Sequence, residues 1–231
     1  MRIFIGKAIK FFVAILLLPV LPPLLTALWN HAAGLNERTL FAENPLSLCL
    51  GGLVLWCAFA LLFHPPTRMY VFAHELTHAI FVLLCGGQVK KISVKKDSGF
   101  VLSDKTNFLI VLAPYLFPFY AVVLGLVACV VALFVPLERW QLPVWLLIGI
   151  CLGYHWTMTA RMLTTRQSDF ESQGYFFSFV LIALVNLFLL LLLFLLLPSP
   201  RGFLNRTDHL AHSVIHSYAC FCTVIRGWLH R

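Results

Sequence analysis

The sequence "VFAHELTHAIFVLLCGG", Val71 to Gly87, sets His74 and His78 four residues apart with Glu75 beside them. On a helix, side chains at i and i+4 lie one turn apart on one face. Two neutral imidazoles so placed can offer nitrogens to one tetrahedral zinc ion at ~2.0–2.1 Å. Glu75 is turned about 100° away, beside such an ion without ligating it. A general base must stand there to take a proton from a water that zinc has acidified to a pKa near 7.

The flanks of this stretch are apolar enough for the interior of a bilayer. An intramembrane carboxylate costs several kcal/mol unless it is paired or functional. Glu75 is the one acidic residue within the six apolar segments of the chain. Peptide bonds in a bilayer are hidden in helices, because unpaired backbone groups are expensive there. A hydrolase acting on them must carry its own water, base and metal to that depth, and must admit a locally unwound substrate.

The elements that position these residues follow from composition. The 231 residues are 61% hydrophobic and 11% charged, with mean hydropathy +0.90, whereas a soluble domain is about half apolar and a quarter charged. The fold class expected is an all-α polytopic membrane protein. Apolar segments near 11–29, 47–63, 69–86, 107–135, 142–163 and 175–198 give about six transmembrane helices. They form one membrane domain over residues 1–200, followed by a tail, 201–231. The basic start and apolar run at the N-terminus read as an uncleaved first span, with Pro19, Pro22 and Pro23 expected to kink or break it. Net charge is +8 without a basic run long enough for nucleic acid, so the partner expected for this charge is anionic lipid headgroups. Six alternating spans put nine Lys and Arg on one side and eight on the other, which leaves orientation undecided. The localisation expected is a multi-pass integral membrane protein, in a bacterial inner membrane.

Between the third and fourth segments, Val89, Ile92 and Val94 lead into "KDSG" and then "FVLS", which predicts a short β-hairpin over about 88–104. Its free edge could accept a further strand. In the tail, Leu210, Val214, Tyr218, Phe221, Ile225 and Trp228 recur at steps of three and four, as in an amphipathic interfacial helix. His209, His212, His216 and Cys220 share the opposite face and read as a polar stripe. The seven cysteines are scattered singly and outline no disulfide framework.

The run "HELTHAIFVLLCGGQVKKISV" resembles the site-2 protease family of intramembrane zinc metallopeptidases. Those enzymes carry HExxH on a membrane helix, often followed by a pair of small residues and a short β-element. The resemblance covers about residues 70–103. It implies zinc ligands at His74 and His78, a catalytic Glu75, and cleavage of membrane-embedded segments. The family's third ligand is an aspartate, usually followed by glycine, on a later membrane helix. This chain has no such Asp-Gly pair.

Asp169, in "TRQSDFESQGYFFS", is the expected third ligand, with His155 in "LGYHWTMTARML" as the alternative. His155 lies at a depth matching His74 and His78, whereas Asp169 lies ~9 Å beyond the apolar limit of the fifth segment if helical. Chemistry favours Asp169, an acid with no visible partner whose loop could fold inward. The residue not used could orient a ligand or the water. Where the family tends to carry a Gly-Pro and an asparagine, this chain has "LAPYLFPFY", whose Pro114 and Pro118 break helical hydrogen bonds. Lone Asn186 in the last segment reads as an interhelical hydrogen-bonder.

The function expected is an intramembrane zinc metalloprotease hydrolysing membrane-embedded or membrane-proximal substrates by a zinc-activated water, with Glu75 as general base. The alternative is a catalytically inactive membrane scaffold of the same fold that binds clients. A branch using a glutamate as third ligand would need Glu171, which sits in a polar loop. A transporter is disfavoured by the absence of paired charges in separate spans and of an internal repeat.

Overall fold

A computed structural model describes residues 2–34, 45–135, 140–164, 168–196 and 203–229. It is mostly helical, with one small two-stranded sheet. Two compact units account for the chain, one of residues 1–39 with 174–231 and the other of residues 40–173.

In the first unit, α1 (Arg2–Leu17) runs through a 3-10 turn (Leu18–Val20) into α2 (Leu21–Gly34). The expected proline break is thus one tightened turn at Pro19, and Gly6–Trp29 still passes as a single span. Pro23 has no N–H to give the carbonyl four residues back, which is that of Pro19. Ser217 Oγ donates to that carbonyl at 2.5 Å, and Tyr218 Oη donates to Leu16 O at 2.9 Å. Both come from α10 (Phe203–Leu229), the tail helix. It meets the first span at its midpoint rather than at either end. The side chain of His209 lies outside the described residues; His212, His216 and Cys220 are exposed. α9 (Tyr175–Leu196) packs on α1, with Phe11 and Phe176 rings 5.1 Å apart and Lys10 Nζ 6.0 Å from the centre of Phe177.

The second unit holds α3 (Pro45–Leu62), α4 (Thr67–Leu84), the hairpin of β1 (Val89–Val94) and β2 (Gly99–Ser103), α5 (Phe108–Leu116), α6 (Phe119–Val131), α7 (Gln141–Leu163) and α8 (Ser168–Gln173). Small residues let α3 and α7 touch backbone to backbone, as in membrane helix pairs. A Cβ on Gly52 would collide with the Leu146 carbonyl, and one on Gly149 with the Cys49 carbonyl. Further along, Gly153 lies against Trp56, whose Nε1 donates to Thr157 Oγ1 at 2.9 Å. Residue numbers rise together along this contact, so α3 and α7 are parallel.

α4 runs the other way, its Tyr70 packed with Tyr154 and Met158. Since α4 and α7 are antiparallel, the Leu84 end of α4 and the Gln141 end of α7 are the same end. α5 and α6 connect those two ends and are bent by 74° at Phe117-Pro118. The segment 107–135, expected as the fourth of six simple crossings, is therefore a pair of short helices bent by 74° rather than one straight helix. Hydropathy alone could not reveal this, because the apolar run continues through the bend.

Among the described residues, three helices are long and apolar enough to cross a membrane: Gly6–Trp29, Leu142–Leu163 and Tyr175–Leu192. The bent pair passes the same test when its halves are joined, and Ser47–Leu62 is a shorter apolar helix. The hairpin is antiparallel with an irregularity between Val89 and Lys91, and Lys95 N–H donates to Ser98 O across its turn.

Candidate metal centre

α4 ends at Cys85, where Gly86 takes φ 74°, a conformation that suits glycine. The Gly87 N–H then closes onto Val82 O at 2.8 Å. The turn sends the hairpin back along the helix that carries the motif. Its far end docks at the start of α4, where Thr67 Oγ1 donates to Asp97 Oδ1 at 2.8 Å. This return brings β2 onto Glu75. A Cβ on Gly99 would lie 2.5 Å from Glu75 Cγ and 2.7 Å from its Oε1. Glycine is required there by close approach.

His74 and His78 face one another with their Nε2 atoms 3.2 Å apart. Two nitrogens bound to one zinc at ~2.0–2.1 Å with a tetrahedral angle lie ~3.3 Å apart, so the pair already has the separation such an ion needs. His78 Nδ1 lies 2.8 Å from the carbonyl of Ile110. A carbonyl only accepts, so Nδ1 carries the hydrogen and Nε2 keeps its lone pair. That carbonyl is free for a covalent reason. Its helical partner would be the N–H of residue 114, and residue 114 is proline. The ring of His74 sits between Tyr70 at 5.5 Å and Tyr115 at 5.1 Å, and its Nδ1 is buried without a hydrogen-bond partner among the described residues.

Asp169 enters from α8, a helix of six residues. Phe170 beside it is fully buried and packs on Tyr115 with ring centres 4.5 Å apart, which turns Asp169 inward. Gly174, φ 92°, follows α8. Tyr115, itself fully buried, donates its hydroxyl to Asp169 Oδ2 at 3.0 Å. One ligand atom from each of His74, His78 and Asp169 lies within 4.8 Å of the others.

His155 does not belong to this group. Its Nε2 donates to Tyr115 O at 3.3 Å, near the end of α5. Glu171 is exposed, and Asn186 Nδ2 donates to Ile182 O at 2.9 Å within its own helix. Glu75, buried, lines a cavity of about 420 Å3 together with the two histidines, Asp169, Gly99 and Phe100. Two imidazoles and a carboxylate beside an independent buried glutamate are a donor set suited to zinc and a base suited to activating water.

A protein-family model described as Peptidase M50B-like matches residues 46–201. The chain belongs to the Peptidase M50B-like family. It is a membrane peptidase of the site-2 protease kind by family, and the matched residues include His74, Glu75, His78, His155 and Asp169. No curated protein and no solved structure matches the chain.

Sequence reasoning missed three contributors: the Ile110 carbonyl, the Tyr115 hydroxyl and Gly99. The first had a signal, since a proline at position 114 always strips the carbonyl at 110 of its helical donor. The other two depend on how the hairpin and α8 fold back, which no local pattern encodes.

Proposed function

We propose that this M50B-like chain is an active intramembrane zinc endopeptidase, with His74, His78 and Asp169 holding the ion and Glu75 acting as general base. The observation that carries this reading is the 3.2 Å separation of the two Nε2 atoms, with Asp169 in the same cluster. Zinc bound there would polarise a water and bring its pKa near neutrality.

The rest belongs to the chain's own residues. Glu75 takes a proton from the water as its oxygen adds to the scissile carbonyl carbon, and delivers it to the leaving nitrogen when the C–N bond breaks. His78 is held in the required tautomer by Ile110 O, and Tyr115 fixes the carboxylate of Asp169. Gly99 leaves Glu75 room, while β2 walls the cavity and its edge offers backbone groups to an extended substrate. The substrates are membrane-embedded or membrane-proximal protein segments, cleaved by a multi-pass protein resident in a bacterial inner membrane.

Metal content and cleavage of membrane-protein substrates, measured on the same purified samples, test this. Glu75→Gln keeps zinc and abolishes cleavage, whereas His74→Ala and His78→Ala lose both. Asp169→Ala loses zinc and His155→Ala retains it; the reverse result moves the third ligand to His155. Identical product profiles from the wild type and Glu75→Gln would establish a client-binding scaffold instead.

A further inference from the structure

A second cavity, of about 700 Å3, lies at the other end of the hairpin, away from the metal cluster. Arg68, Lys95, Lys96 and Arg161 line it with His64, and among the described residues Asp97 is the one carboxylate in its wall. Asp97 already accepts a hydrogen bond from Thr67. Four cationic side chains thus converge on a space with one carboxylate. Alternating spans would have put Arg68 on one side of the membrane and Lys95, Lys96 and Arg161 on the other. They meet because the hairpin folds back to the Thr67 end of α4 and because α7 finishes at that same end.

We infer that this cavity binds the phosphate of an anionic lipid headgroup. Arg161 lies in the last turn of α7, whose Leu142–Leu163 stretch can cross a membrane, so the cavity sits where a span ends and headgroups begin. Basic pockets between helices at that level bind anionic headgroups, and arginine forks suit phosphate oxygens. The turn carrying Lys95 and Lys96 leads straight into Gly99, which packs on Glu75. A bound headgroup therefore pins the hairpin at the end opposite its attachment to α4, and holds the wall of the metal site in place. Binding here stands without any peptidase activity, so a variant that loses cleavage still binds the headgroup.

Native mass spectrometry of the full chain in neutral detergent, titrated separately with phosphatidylglycerol, phosphatidylcholine and inorganic phosphate, tests the site. Phosphatidylglycerol is expected to bind about tenfold or more tighter than phosphatidylcholine. At about fivefold for each cation lost, Arg161→Gln weakens it about fivefold and Lys95→Gln with Lys96→Gln about 25-fold. Lys95→Arg with Lys96→Arg restores binding, and Lys90→Gln with Lys91→Gln, outside the cavity, leaves it unchanged. Inorganic phosphate displacing the lipid at equal concentration would keep the site and assign it to free phosphate. Equal affinity for the two lipids, or undiminished binding in the double glutamine variant, overturns the inference.

Discussion

Two proline-bearing stretches solve the same backbone problem with different residues. In the first span, Pro23 strips the Pro19 carbonyl of its donor, and the Ser217 hydroxyl replaces it. In α5, Pro114 strips the Ile110 carbonyl, and the replacement is a histidine of the HExxH motif. One residue beyond, the Tyr115 carbonyl accepts from His155. A hydroxyl that fills a gap in an apolar helix does nothing more. An imidazole that fills one has a second nitrogen, and the carbonyl decides which of the two keeps its lone pair. The same covalent defect is structural in one stretch and orienting in the other.

The sharpest way to break that contrast is to disturb the base without touching the carbonyls. Gly99→Ala would put a methyl 2.5 Å from Glu75 Cγ. A displacement of about an ångström at a catalytic group costs about 100-fold in rate. Cleavage by Gly99→Ala is therefore expected to fall at least that far while zinc content stays whole. Unchanged turnover would mean that the hairpin does not set the position of Glu75.

Next comes Pro114→Ala, which restores an N–H that competes for the Ile110 carbonyl and frees His78 to take the wrong tautomer. Loss of such an orienting partner costs about 10- to 100-fold in metal affinity. A zinc competition titration should show that loss, although alanine is the better helix former. Pro23→Ala in the first span is the matched control and should leave zinc affinity unchanged. If both substitutions leave the metal alone, the distinction drawn between the two stretches is empty.

Tyr115→Phe removes the hydroxyl on Asp169 and keeps the ring that packs on His74 and Phe170. Its effect is expected at the lower end of that range, about tenfold in zinc affinity, with the melting temperature little changed. A fall in stability without a fall in affinity would make Tyr115 a packing residue only.

Much of this was legible in the residues themselves. His74, Glu75 and His78 share a helix face by spacing alone, and "KDSG" between short β-prone runs located the hairpin. Asp169 was legible as an acid in need of a partner, but not its inward turn, which depends on the burial of Phe170. The angle between α5 and α6 was hidden because hydropathy measures apolar length and not direction. Counting charges by alternating sides separated Arg68 from Lys95 and Lys96, which share one cavity because the hairpin folds back to the start of α4. The carbonyls freed by proline stand between these cases. Which carbonyl is freed follows from the i−4 rule, but which side chain arrives is a property of the fold.

The smallest expected effect tests the other half of the comparison. Ser217→Ala leaves the Pro19 carbonyl without its hydroxyl donor, in a helix whose neighbouring Tyr218 bond to Leu16 survives. Side-chain hydrogen bonds between membrane helices average about 0.6 kcal/mol, because the alternative states also find partners. Unfolding of the full chain in mixed detergent micelles should therefore show a loss of about that size, with zinc affinity and cleavage at wild-type levels. A substitution that lowered zinc affinity from this position would mean that the carbonyl–hydroxyl pair carries more than backbone repair. The contrast with Pro114 would then be one of degree, since both stretches would be feeding the same site.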